Sequence, residues 1–87
     1  MKYALFISHR SGDHGLTFHK DIPSLYKDLS SVADAIADSE DSKNEVENER
    51  LIRQTLRTLE GNKNIGITPA AYAEFSDSTW FDIFIIG

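Results

Sequence analysis

The chain has 87 residues, of which 40% are hydrophobic and 26% are charged, and this length and composition predict one folded domain over residues 1–87 with a single core. The formal net charge is -5, which argues against general binding to nucleic acid or to an anionic membrane, because their phosphates attract basic surfaces. Cysteine is absent from the sequence, so disulfides, thiol catalysis and thiolate zinc sites are excluded.

The first predicted element is a buried β-strand. Tyr3 to Ser8 form a dense apolar and aromatic run, and polar residues follow from His9 onward. This run is too short for the hydrophobic region of a signal peptide with its cleavage site, and much too short to cross a bilayer. We therefore expect a soluble, cytoplasmic protein that is not exported.

The segment from His9 to Asp21 shows no periodicity, and we interpret it as a long loop between the strand and a helix. It contains all three histidines of the chain. Loops that lead into a helix often bind anions through their amides, so this one is a candidate site for a phosphate or a nucleotide, with a histidine as general acid or base if there is catalysis. The candidate ligand-binding residues are His9, Arg10, Ser11, Asp13, His14, His19 and Lys20. The alternative interpretation is a solvated polar surface loop.

The same loop also contains residue types that bind divalent metals. Imidazole and carboxylate groups suit zinc, iron or nickel. The spacing of the three histidines and Asp13 matches no metal motif and lacks a helical His-x-x-x-His pair. We therefore predict neither a metal site nor a cofactor.

The clearest helical pattern runs from Ile22 to Asp38. Its apolar residues fall within an arc of roughly 140° at 100° per residue. Asp21 stands at the N-cap position, and Pro23 lies in the first turn, where its missing N–H is not needed. The segment is predicted to form an amphipathic helix. Its apolar face consists of Ile22, Leu25, Tyr26, Leu29, Val32, Ala33, Ile36 and Ala37.

A second amphipathic helix is predicted after a short linker. Ser42 and Glu45 have the spacing of a capping box, and Gly61 is placed to end the helix in a left-handed conformation. Between them, apolar residues recur at helical spacing. The stripe contains Leu51, Ile52, Leu56 and Leu59.

Three arginines form a basic ridge on this second helix. Arg50, Arg53 and Arg57 lie within about 60° of one another, on the side away from the apolar stripe. Guanidinium groups bind carboxylates and phosphates in a bidentate manner, so the ridge is a candidate surface for an acidic partner. The alternative is a set of ordinary helix-surface ion pairs, because Glu49 precedes Arg53 by four residues and Glu60 follows Arg57 by three.

The C-terminal part is predicted to form two strands. Residues 68–75 fit either a short helix capped by Thr68 or an edge strand with Pro69 at its start, and we favour the strand. Residues 76–79 have the composition of a turn, and Trp80 to Ile86 are rich in aromatic and β-branched residues, as strands are. Both alternating sets of side chains in this last strand are largely apolar, so both faces of the sheet need a cover.

Together these elements predict an α+β fold in the order β-α-α-β-β, with two amphipathic helices on one face of a short, mainly antiparallel sheet. A second copy or a protein partner would then cover the other face. No segment carries a catalytic signature, so we expect a non-enzymatic binding protein, such as an inhibitor, that acts as a homo-oligomer or by masking a protein partner. The alternative is a domain that binds or hydrolyses a phosphate-bearing ligand through residues 9–20. The candidate interaction residues are Arg50, Arg53, Arg57, Trp80, Phe84 and Ile86.

Overall fold

The structure is a computed structural model that describes residues 2–9, 12–39, 43–62, 65–66 and 68–87, with only the backbone of residues 37–39 and 43–45. Two strands precede two helices, and two further strands follow them. The elements are β1 (Tyr3–Ser8), β2 (His14–His19), α1 (Ile22–Ser39), α2 (Lys43–Glu60), β3 (Ala71–Glu74) and β4 (Trp80–Ile85).

The α+β fold class is confirmed. All strand pairs are antiparallel, and the four strands lie in the order β2-β1-β4-β3, so the first and last predicted strands form the centre of the sheet. The two helices pack against each other and against one face of the sheet. The opposite face carries no helix in the part of the chain that the structure describes.

One prediction about this architecture was wrong. Residues 9–20 do not form a continuous loop, because His14 to His19 make the edge strand β2, paired along its whole length with β1. Where the two strands meet, the His9 amide donates to the Asp13 carbonyl and the Gly12 amide donates to the His9 carbonyl. Gly12 has a φ of 99°, a left-handed conformation that glycine adopts at low cost.

The first helix begins as predicted. The Asp21 side chain accepts a hydrogen bond from the Ser24 amide at 2.9 Å, which satisfies one of the free amides of the first turn of α1. The end of α2 differs from the prediction, since Gly61 does not adopt a positive φ. Instead, the Asn62 amide donates to the Leu59 carbonyl and tightens the last turn, so no left-handed residue is needed there. The capping residue Ser42 lies outside the described residues.

The C-terminal hairpin confirms the strand preferred for residues 68–75. β3 spans Ala71–Glu74, and a turn at residues 75–79 connects it to β4. Ser78 in this turn has a φ of 72°, which is uncommon for a residue with a side chain. The buried Asn48 of α2 fastens the turn, because its side chain hydrogen-bonds both the amide and the hydroxyl of Ser76.

The described elements share one core, which lies between the sheet and the helices. In β1 and β4 alternate residues point into it, so Leu5, Phe81 and Ile83 have no exposed surface. From the helices, the core receives most of the predicted apolar faces. These helical core residues are Leu25, Leu29, Ala33, Ile36, Ile52, Leu56 and Leu59. None of the described helical segments combines the length and apolar character needed to span a bilayer.

Candidate functional site

The face of the sheet that points away from the helices, called the open face below, is unusually rich in apolar and aromatic side chains. Strand register and alternation place eleven strand residues on it. They are Ala4, Phe6 and Ser8 of β1, His14, Leu16 and Phe18 of β2, Tyr72 and Glu74 of β3, and Trp80, Asp82 and Phe84 of β4. Large apolar side chains remain accessible among them, since Leu16 and Phe18 are each 55% exposed and Tyr72 is 61% exposed.

The edge strand β2 directs its apolar side chains away from the helices and its polar side chains towards them, which is the opposite of a strand in an ordinary two-layer domain. Leu16 and Phe18 lie on the open face, whereas Thr17 and His19 lie on the side of the helices. A sheet with one solvated face normally points its apolar residues towards the core and its polar residues towards water. The arrangement of β2 therefore extends the apolar surface on the open face at the expense of the core.

Two ring contacts organise the open face at one end of the sheet. Phe6 stacks on His14 with ring centroids 5.6 Å apart, and Tyr72 stacks on Trp80 at 5.5 Å. The indole Nε1 of Trp80 donates a 2.9 Å hydrogen bond to Asp82. These contacts fix the orientation of the aromatic rings while leaving part of their surface accessible.

The three histidines do not converge on one pocket. His9 lies exposed just beyond β1, whereas His14 and His19 stand five residues apart on β2 and so point to opposite faces of the sheet. His14 hydrogen-bonds the Ser8 hydroxyl through Nδ1 at 3.2 Å on the open face. His19 is buried on the helix side, with 8% of its surface exposed.

The remaining residues of the predicted anion site do not form a cradle either. Asp13 lies just before β2, where its carbonyl accepts the His9 amide, and Lys20 is exposed just after β2. Arg10 and Ser11 fall outside the described residues. Because the β2 residues belong to a strand ladder, their amides are not arranged as a loop that surrounds an anion.

His19 is the centre of a hydrogen-bond network that joins β2 to α1. Its Nδ1 lies 2.6 Å from the Ser24 hydroxyl, and its Nε2 lies 3.1 Å from a carboxylate oxygen of Asp28. The Thr17 hydroxyl donates to the same carboxylate oxygen at 2.9 Å and lies 2.8 Å from Nε2. With the proton on Nε2, this nitrogen can share it between the Asp28 carboxylate and the Thr17 oxygen, and Nδ1 can accept from the Ser24 hydroxyl.

The order of groups in this network, Ser24 to His19 to Asp28, resembles a proton relay, but its surroundings favour a structural role. A hydrolytic serine needs nearby amides to stabilise the oxyanion. Here the Ser24 amide is already bound by the Asp21 carboxylate, whose charge would repel an oxyanion, and Pro23 has no amide proton. The network therefore fastens the end of β2 to the first turns of α1.

The basic ridge lies on the helical layer, away from the open face. Arg53 makes the predicted helix-surface ion pair with Glu49 at 2.9 Å, and Arg50 makes a further pair with Glu47 at 3.8 Å that was not among the predicted ones. The predicted ion pair between Arg57 and Glu60 does not form, although both side chains are among those that the structure describes.

Tyr26 of α1 holds one arginine of the ridge in place. The guanidinium of Arg53 lies 5.5 Å from the Tyr26 ring centroid, and the Tyr26 hydroxyl donates a hydrogen bond to Glu49. Arg53 and Arg57 also line an open cleft of about 500 Å³ between the helices, together with Tyr26 and Glu60. The two cations of this cleft are thus accompanied by carboxylates, which weakens its attraction for an anion.

Of the predicted interaction residues, Trp80 and Phe84 belong to the open face, and Ile86 is 42% exposed just beyond β4. Sequence reasoning missed Phe6, Leu16, Phe18 and Tyr72. The alternation of Leu16, Thr17 and Phe18 after Gly12-Asp13 is the local signal of β2, but it is too short to distinguish a strand from a loop without its pairing to β1.

Among the residues that the structure describes, no three histidine or carboxylate side chains lie close enough together to hold a metal ion. Comparison of the chain with protein-family models, with curated proteins and with solved structures gives no significant match.

Proposed function

We propose that this chain is a small non-enzymatic binding protein that acts by packing the open face of its sheet against another protein. The observation that carries the proposal is the reversed polarity of β2, which places Leu16 and Phe18 on the open face at 55% exposure. Contiguous apolar patches of this kind on a small domain mark interaction surfaces. Aromatic residues supply much of the binding energy in protein interfaces, and the open face adds Phe6, Trp80 and Phe84.

Two other observations support binding over catalysis. The histidines are distributed between the end of β1, the open face and the helix side, so they do not form a common acid–base site. In the Ser24–His19–Asp28 network, the Ser24 amide is already bound by the Asp21 carboxylate and does not point at an oxyanion. Nucleic acid is disfavoured as the ligand, because the strand residues of the open face include the carboxylates of Glu74 and Asp82 and no lysine or arginine.

The experiment compares the wild-type chain with the double variant Leu16→Ser/Phe18→Ser, using size-exclusion chromatography with light scattering and the uncharged dye Nile red. We expect the folded wild type either to bind the dye as a monomer or to cover the face by self-association. The double variant should lose the dye signal or the association while remaining folded, because both side chains lie outside the core.

A matched control is Thr17→Ser, which changes the same strand on the opposite side while keeping the hydroxyl that hydrogen-bonds Asp28. This variant should behave like the wild type in both measurements. A wild-type chain that is strictly monomeric and binds no Nile red would contradict the proposal.

A further inference from the structure

The open face carries a group of four side chains at the β3–β4 end of the sheet, called the aromatic–acidic quartet below. It consists of Tyr72 and Glu74 on β3 and Trp80 and Asp82 on β4. The register places Glu74 directly opposite Trp80 and Tyr72 directly opposite Asp82, so each aromatic ring has a carboxylate neighbour across the strands. The two rings stack on each other along the diagonal.

This quartet combines the two features that proteins use to bind a cationic side chain. An aromatic face attracts a guanidinium or ammonium group, with tryptophan the strongest of the aromatic residues. A carboxylate beside the ring pairs with the same cation and forms charge-assisted hydrogen bonds. The Trp80 indole already donates to one oxygen of Asp82, so the ring and the carboxylate are held in a fixed relation before any ligand arrives.

The carboxylates of the quartet have no cationic partner in the described part of the chain. The ion pairs found there involve His19, Arg50 and Arg53, none of which lies on the open face. Lys2 and Lys20 lie beyond β1 and β2 at the end of the sheet opposite to Trp80. Covering Asp82 with an apolar surface alone would leave a desolvated, unpaired charge, which is costly.

We infer that the partner of the open face presents an arginine or lysine that binds the aromatic–acidic quartet, next to apolar side chains that cover the rest of the face. This inference rests on the proposed function and adds the chemistry of the partner to it. The open-face strands of a second copy would not supply the cation, because their residues on this face include neither lysine nor arginine. The net charge of -5 would further favour encounter with a basic partner.

The test selects binders from a displayed library of small three-helix domains with one randomised helix face. Selections run in parallel on the wild-type chain and on the double variant Glu74→Gln/Asp82→Asn. The amides keep the shape of the quartet, and the new side chain at position 82 retains an oxygen that can accept the Trp80 indole proton, so only the charge is removed. Binding is then measured by the fluorescence of Trp80, which is the single tryptophan of the chain.

We expect wild-type binders to be enriched in arginine or lysine, to change the Trp80 fluorescence, and to bind the double variant about tenfold or more weakly. The selection on the double variant should lose the enrichment. Binders that require Leu16 and Phe18 but show no basic enrichment and no loss on the double variant would overturn the inference and leave the proposed function standing.

Two other outcomes would contradict the proposed function or the identity of the partner. Binders whose affinity is unchanged by every open-face substitution would contradict the proposed function itself. A wild-type dimer that the Glu74→Gln/Asp82→Asn variant dissociates would identify a second copy as the occupant and overturn the assignment of a separate partner.

Discussion

The two faces of the sheet carry similar side chains but have opposite surroundings. On the covered face, Leu5, Phe81 and Ile83 are fully buried beneath the helices. On the open face, Leu16 and Phe18 are 55% exposed. An apolar side chain on a strand therefore does not by itself indicate a core position. It belongs to the core only where another element of the same chain packs over that face of the sheet. The covered face accounts for folding, and the open face is the surface that we propose for binding.

The sharpest way to break this comparison is to remove one phenylalanine from each face. Phe81→Ala should cost about 3–5 kcal/mol of unfolding free energy, because it leaves a cavity in a closed core. Phe18→Ala should cost less than about 1 kcal/mol, because much of the ring is already in water. Urea denaturation followed by circular dichroism measures both values.

A core loss of this size could unfold a domain of 87 residues outright. Phe81→Leu serves as the milder variant, with an expected cost of about 1–2 kcal/mol. Equal destabilisation by Phe18→Ala and Phe81→Ala would show that the Phe18 side chain is buried like that of Phe81, which would contradict an exposed open face.

The two histidines of β2 give the next comparison. His19→Ala removes a buried ring that hydrogen-bonds Ser24 and Asp28, so we expect a loss of about 1–3 kcal/mol. His14→Ala removes an exposed ring that stacks on Phe6, with an expected change within about 0.5 kcal/mol. Urea denaturation gives the two values.

Hydrogen exchange locates the effect of these changes. The His19→Ala variant should exchange the amides of β2 faster, because the strand loses its attachment to α1. The assignment of His19 as the fastening point would be wrong if both histidine variants exchanged like the wild type.

The smallest expected effect comes from a substitution in the β3–β4 turn that should change stability without changing binding. Ser78 has a positive φ in the turn between β3 and β4, so Ser78→Gly should relieve backbone strain and stabilise the fold by about 0.5–1 kcal/mol. The Ser78 side chain belongs to neither face of the sheet, so binders of the open face should retain their affinity. Thermal denaturation checks the first expectation and Trp80 fluorescence the second, and a change in affinity that scaled with stability would argue against a preformed binding face.

The elements with strong periodicity could be predicted from the sequence, and the edge strand could not. The helices and the central strands β1 and β4 have long or dense apolar patterns, which the core imposes on them. β2 contains a glycine and directs Leu16 and Phe18 away from the core, so its residues looked like an irregular polar loop. Only pairing with β1 reveals it as a strand.

The residues of the open face could likewise be predicted only in part. Trp80 and Phe84 were found because both faces of one strand were apolar. Phe6, Leu16 and Tyr72 join them through the register of three different strands, which no local pattern contains. The histidines of the candidate anion site were assigned to one loop for the same reason, whereas strand alternation separates His14 from His19.

The most direct test of the account is nuclear magnetic resonance of the monomeric chain with a soluble neutral spin label, which broadens the signals of groups that contact solvent. Leu5 and Leu16 make the matched pair, because they lie on adjacent strands and on opposite faces. We predict strong broadening of the Leu16 methyl signals and no broadening of those of Leu5. Equal protection of the two leucines in a monomer would contradict the existence of an open apolar face.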